Sequence, residues 1–130
     1  MALVYPIAGT DTNTESYQEN VNAMPLNKGG MEWFFDKHVT EGDRDDKRVN
    51  LVEADLANLP PATVVTAEID PLRSEGQMLA EKLEATGVDV ESQNFPGVTH
   101  EFFGMANLVQ DAKAAEELVA GRLKDAFATN

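Results

Sequence analysis

The chain has no cysteine, which excludes a disulfide framework, thiolate catalysis and any cysteine-based zinc site. It leaves the redox compartment open. No apolar run approaches the roughly 18 residues that a membrane span needs, so none is expected. The N-terminal Met1-Ala2-Leu3-Val4-Tyr5-Pro6 lacks a basic flank and is too short for a signal-peptide core, which makes the cytoplasm the expected location. Positive charge is scarce as well. Ten Lys and Arg stand against 23 Asp and Glu, for a formal net charge of −13. Nucleic acid and anionic lipid would be repelled, and neither is an expected partner. Only three serines are present, Ser16, Ser74 and Ser92.

What is there fits one domain over residues 1–130. Hydrophobic residues make up 42% and charged residues 25% of the 130, enough to bury a real core. No internal repeat, low-complexity tract or linker interrupts the chain.

Ala2 to Tyr5 is apolar and ends at Pro6, as a short strand would. Thr14 or Ser16 is placed to cap a brief helix before Pro25. From Lys28 to Thr40, Met31, Phe34, Phe35 and His38 fall at helical i, i+3, i+4, i+7 spacing. Such a face is a core-facing stripe more often than a pocket wall, and both readings are open. Glu41 to Arg48 is a charge run without the calcium-loop order or its closing glutamate, hence a solvated loop and no metal site. A short helical turn and a loop are expected over Glu53 to Pro61.

Ala62-Thr63-Val64-Val65-Thr66-Ala67 is β-branched and non-alternating, the pattern of a strand covered on both faces. Leu72, Leu79, Ala80 and Leu83 then share a helical face, and Gly87 stands where a helix-ending glycine belongs. Val88 to Phe95 carries polar residues on both faces and reads as an edge strand blunted by charge. Pro96-Gly97 is expected to turn the chain out of it. The strongest helix runs from Leu108 to Phe127, with Leu108, Ala112, Ala115, Val119, Leu123 and Ala126 on one stripe.

Strands alternating with helices indicate an α/β fold with a short parallel sheet of about three strands, flanked by helices. In such sheets chemistry gathers at the carboxyl ends of the strands. Asp70 follows the second strand and His100 the third. An aspartate that accepts from imidazole Nδ1–H leaves Nε2 to take a proton from a nucleophile. Residue types and spacing alone leave other readings open: a turn aspartate before Pro71, and a loop histidine stacked on Phe102 or Phe103.

Resemblance narrows this. Leu59-Pro60-Pro61-Ala62-Thr63-Val64-Val65-Thr66-Ala67-Glu68-Ile69-Asp70-Pro71-Leu72-Arg73-Ser74-Glu75-Gly76 resembles the segment that carries the triad acid in α/β-hydrolases of the hormone-sensitive-lipase family. Leu83-Glu84-Ala85-Thr86-Gly87-Val88 and Phe95-Pro96-Gly97-Val98-Thr99-His100-Glu101-Phe102-Phe103-Gly104-Met105 resemble its histidine segment. Val4-Tyr5-Pro6 is similar to its sixth strand, and Met31-Glu32-Trp33-Phe34 to a helix in the insertion that follows. The resemblance covers nearly the whole chain in order. It implies a truncated α/β-hydrolase fold and an esterase or lipase acting on a small-molecule carboxylic ester. It also implies Asp70 as triad acid, His100 as triad base, and no cofactor.

Two departures stand out. The family's serine sits in a Gly-x-Ser-x-Gly elbow beside a Gly-rich oxyanion loop, and neither motif is among these 130 residues. None of the three serines has the flanking glycines. At position 101 the family commonly has glycine; Glu101 would add negative charge beside the imidazole or crowd the pocket. The chain alone is therefore expected to be inactive. Its apolar first strand would leave a bare sheet edge, so the expected partner is a second copy, forming a homodimer through that edge. The alternatives are a non-catalytic scaffold or binding module that pairs the same way, and one half of a split esterase whose N-terminal half is another polypeptide.

Overall fold

The computed structural model describes residues 1–128. Three strands form one parallel sheet in the order β1 (Ala2–Val4), β2 (Ala62–Ile69) and β3 (Val90–Thr99). Between them lie α1 (Glu15–Glu19), α2 (Lys28–His38) and α3 (Arg73–Ala85), and α4 (Gln110–Ala128) follows β3. The α/β arrangement and the three-strand parallel sheet are those expected.

β2 is central because it alone can be covered on both faces. Residues Ala62 to Ala67 are all buried. Val65 and Ala67 pack with Phe95, Val98, Phe102 and the α4 residues Ala112, Ala115 and Val119. Ala62 packs on the other side with Leu79 and Leu83 of α3 and with Val88. Leu83 is nearly fully buried, and truncating such a leucine typically costs about 2–5 kcal/mol. α3 ends as the sequence indicates. Val88 N–H reaches Leu83 O at 3.1 Å, Gly87 N–H reaches Glu84 O at 2.9 Å, and Gly87 has φ +87°. This paired closure needs the left-handed residue that glycine supplies.

Four expectations shift. β3 does not end at Phe95 but runs on through Pro96 and Gly97 to Thr99. Ala67 pairs with Phe95 and Ile69 with Thr99, so β3 carries extra residues in a bulge. Proline is tolerated because this is an edge strand. The turn expected over Glu53 to Pro61 lies earlier, at Leu51–Glu53. On α2 the single expected face divides: Met31 and Phe35 are buried, while Phe34 and His38 are exposed. Leu108 precedes α4 and is 89% exposed. No helix among the described residues is long and apolar enough to cross a membrane.

Candidate active site

The bulge brings the two candidate residues together. β2 ends at Ile69, which puts Asp70 in the loop before α3, and β3 delivers His100 beside it. His100 Nδ1 lies 2.8 Å from Asp70 Oδ2. A carboxylate oxygen only accepts, so Nδ1 carries the proton, and in the neutral imidazole Nε2 keeps its lone pair. Asp70 is fully buried, and its other oxygen accepts the Leu72 N–H at 2.9 Å. The turn role and the histidine contact thus fall on different oxygens of one carboxylate.

The loop that holds Asp70 is fastened by α1. Ser16 Oγ donates to Pro71 O at 2.6 Å, and Ser74 N–H donates to Ser16 Oγ at 3.0 Å. In return Ser16 N–H donates to Ser74 Oγ at 3.1 Å. Asn20 Nδ2 adds bonds to Ser16 O and Asp70 O at 2.9 and 3.3 Å. Ser16 and Ser74 are therefore occupied as a reciprocal staple, and Ser92 is exposed on β3.

His100 stacks on neither Phe102 nor Phe103. Its aromatic neighbour is Tyr5, at the exit of β1, with ring centroids 4.3 Å apart and planes tilted by 52°. Burial raises the Tyr5 phenol above its ordinary range, and the negative charges of Glu101 and Asp70 push the same way. Glu101 takes φ +71°, the left-handed conformation that favours glycine. Tyr5 and His100 form one wall of an open cavity of about 870 Å³; Ile7, Phe34, Phe35 and His38 are among its other lining residues. Phe34 and His38 are thus pocket wall, while Met31 and Phe35 also serve the core.

Sequence reasoning missed Tyr5, Glu68 and Glu75. Glu68 Oε2 accepts the Gly97 N–H at 2.6 Å across the bulge. Glu75 lies 1% exposed on α3. Burial pushes its carboxyl up to about 7, against the Ala8 and Gly9 N–H bonds that favour the ionised form. Its sequence signal was available: Glu75 falls on the same stripe as Leu72, Leu79 and Leu83, where a charged residue demands a partner.

Known proteins resemble this chain in sequence and fold. A family model described as alpha/beta hydrolase fold matches residues 1–104. The chain is 32% identical to an ethyl acetate hydrolase of Pseudomonas putida over 94% of its own length and 39% of that protein's. It is 36% identical to the carboxylesterase NlhH of Mycobacterium tuberculosis, over 96% of this chain and 41% of that protein. Among solved structures, EstE1, a thermostable carboxylesterase cloned from a metagenomic library, superposes with a TM-score of 0.90 at 32% identity. That match takes in 96% of this chain and 44% of that one. The chain spans about two-fifths of the length of the curated relatives it matches.

Proposed function

This chain belongs to the alpha/beta hydrolase fold family, within its hormone-sensitive-lipase-like branch, and from that premise we propose that it carries the acid and base of a carboxylic ester hydrolase. Asp70 is the acid, His100 is the base, and the serine and oxyanion hole come from outside these 130 residues. The observation that carries the reading is the 2.8 Å contact between His100 Nδ1 and the fully buried Asp70 carboxylate, on the wall of a largely apolar cavity.

The chemistry follows from that contact. With Nδ1–H held by Asp70, Nε2 accepts the proton of an attacking serine hydroxyl and later returns it to the leaving alcohol. The buried carboxylate stabilises the imidazolium that forms between these steps. Aliphatic and aromatic lining suits an apolar acyl or alkoxy group. Without an elbow serine the pair has no nucleophile to activate, so the chain alone does not turn ester over.

The test is complementation. The purified chain is mixed with a separately expressed polypeptide carrying the elbow serine and oxyanion loop of a related carboxylesterase, and p-nitrophenyl butyrate hydrolysis is followed. Turnover that needs both polypeptides, and that His100→Ala abolishes, is the expected result. Turnover from this chain alone at the rate of its His100→Ala variant is background; turnover well above that variant would overturn the inactivity. A complemented activity indifferent to His100→Ala would overturn the reading itself.

A second reading, a homodimer scaffold, rests on β1. This strand pairs with β2 on one side, through Ala2, Leu3 and Val4 opposite Thr63, Val64 and Val65, and among the described residues it pairs with no other strand. Two copies joining these edges would make a continuous six-strand sheet. Light scattering decides it: a dimer at micromolar concentration supports the pairing, and a monomer overturns it.

A further inference from the structure

Asp70 fixes the His100 ring at one atom only. A single hydrogen bond at Nδ1 leaves the imidazole free to swing about that contact, and a base needs a second restraint. The second contact is the Tyr5 ring. Tyr5 itself sits in an uncommon conformation, φ +34°, while its N–H still reaches Val65 O at 2.6 Å. A non-glycine residue stays in such a conformation only when its surroundings hold it there.

The restraint on Tyr5 leads to Glu75. Glu75 Oε1 accepts the N–H of Ala8 at 2.8 Å and of Gly9 at 3.3 Å, the residues just beyond Tyr5-Pro6-Ile7. Pro6 packs on Gly76, the neighbour of Glu75: a Cβ built on Gly76 would meet Pro6 Cδ at 3.6 Å. Both Glu75 and Gly76 lie in the first turns of α3, which begins three residues after Asp70. One stretch of helix therefore sets Asp70 through Pro71 and Leu72, and Tyr5 through Glu75 and Gly76. The Glu75 carboxyl is buried, accepts from the Ala8 and Gly9 amides and is not among the residues lining the cavity, so its contribution is indirect.

We infer that Glu75 is a positioning residue, whose bonds to the Ala8 and Gly9 amides keep the Tyr5 ring packed on His100 and so fix the imidazole's orientation on Asp70. The inference deepens the ester-hydrolase reading and rests on it for its meaning, but its readout does not depend on turnover.

The experiment follows the His100 ring protons of the full chain by NMR, with His38, the second histidine, as internal reference. The Tyr5 ring current displaces the His100 Hδ2 and Hε1 signals from their free-histidine positions, and Tyr5→Leu abolishes most of that displacement. Glu75→Ala removes more than about half of it and leaves His38 unmoved, whereas Glu75→Gln, which keeps an acceptor oxygen for both amides, retains most of it. Should Glu75→Ala fail to fold, Glu75→Asp, one methylene short of the same amides, replaces it under the same criteria. His100 ring signals that stay in place when the Ala8 and Gly9 amides lose their acceptor would overturn the inference. So would equal losses in the Gln and Ala variants. In the complementation assay, His100-independent turnover with this ring signature intact counts against the hydrolase reading alone. Unmoved ring signals in Glu75→Ala alongside His100-dependent turnover count against this inference alone.

Discussion

Across the bulge at the end of the sheet, the Gly97 N–H donates to Glu68 Oε2 at 2.6 Å, tying the two strands that present Asp70 and His100. Gly97 holds φ +70° there. The bulge lets β3 carry extra residues against β2 and still remain paired, and it aims the chain so that His100 arrives beside Asp70.

Gly97→Ala should therefore cost about 1–2 kcal/mol through backbone strain alone, because a Cβ at Gly97 would meet nothing within 4 Å. Gly76→Ala should cost about 1–3 kcal/mol for the opposite reason. Its Cβ would lie 2.8 Å from Thr66 Cγ2 between α3 and β2, a collision rather than a strained φ. Urea titration of both variants separates the two mechanisms when Thr66→Ser is added. That change should recover much of the Gly76→Ala loss and none of the Gly97→Ala loss.

The central elements were legible because each had a local cause. The β-branched run at Ala62 to Ala67, the apolar stripe of α3 and the glycine at position 87 act within a few residues of themselves. The placement of Asp70 and His100 followed from strand ends. Pro96-Gly97 was not legible, since a turn and a bulge use the same residues and only pairing with Ala67 and Ile69 tells them apart. The α2 face was half legible. Helical periodicity groups Met31, Phe34, Phe35 and His38, but the core takes Met31 and Phe35 and the cavity also takes Phe34 and His38. The stripe of α3 marks Glu75 as buried, but its partners Ala8 and Gly9, like the Tyr5 partner of His100, lie 66 to 95 residues away in the chain, which no window of sequence displays.

Glu75 gives a pH signature with a definite sign. An ordinary glutamate titrates near 4.5, and burial pushes this one up to about 7. The negative charges that act on it are Asp70 before α3 and Asp11 beyond Gly9, and the Tyr17 phenol on α1, which feels the Glu75 charge in turn, stays neutral. The folded state therefore holds the Glu75 proton more tightly than the unfolded state does. Below pH 4.5 both states are protonated and there is no penalty. Between 4.5 and 7 the unfolded state ionises first, so stability falls as pH rises, by up to about 3 kcal/mol, and levels off above. Glu75→Gln cannot ionise and should lack this slope. Chemical denaturation at pH 4.5, 6 and 8 should show the variant gaining on the wild type across that window; parallel curves would contradict it.

Glu101→Gly should stabilise the chain. Glu101 occupies φ +71° and its side chain is exposed, so glycine removes strain without opening a cavity. The gain should be about 1 kcal/mol, measured as a higher denaturation midpoint at unchanged slope. Removing the carboxylate also withdraws one of the negative charges that raise the Tyr5 phenol. Tyr5 should then ionise at lower pH, which ultraviolet titration of the phenolate reads directly. A stability gain with an unchanged Tyr5 titration would place the Glu101 charge too far from the ring to matter.

Asp70→Asn tests the pair at its centre. The asparagine oxygen can still accept the Leu72 N–H that Asp70 Oδ1 now accepts at 2.9 Å. Its amide nitrogen then replaces the oxygen facing His100 Nδ1, and that group only donates. Two donors cannot face each other, so the imidazole must move its proton to Nε2 or turn away. Loss of the charge-assisted bond should cost about 2 kcal/mol. Nitrogen-15 NMR of the ring should show the protonated nitrogen switching from Nδ1 to Nε2. An Nε2 that already holds a proton cannot accept one from serine, so the complemented esterase should lose turnover even though His100 is present and the fold intact. Retention of the Nδ1–H tautomer in Asp70→Asn would mean that a group other than Asp70 sets it, and would remove the acid from the proposed site.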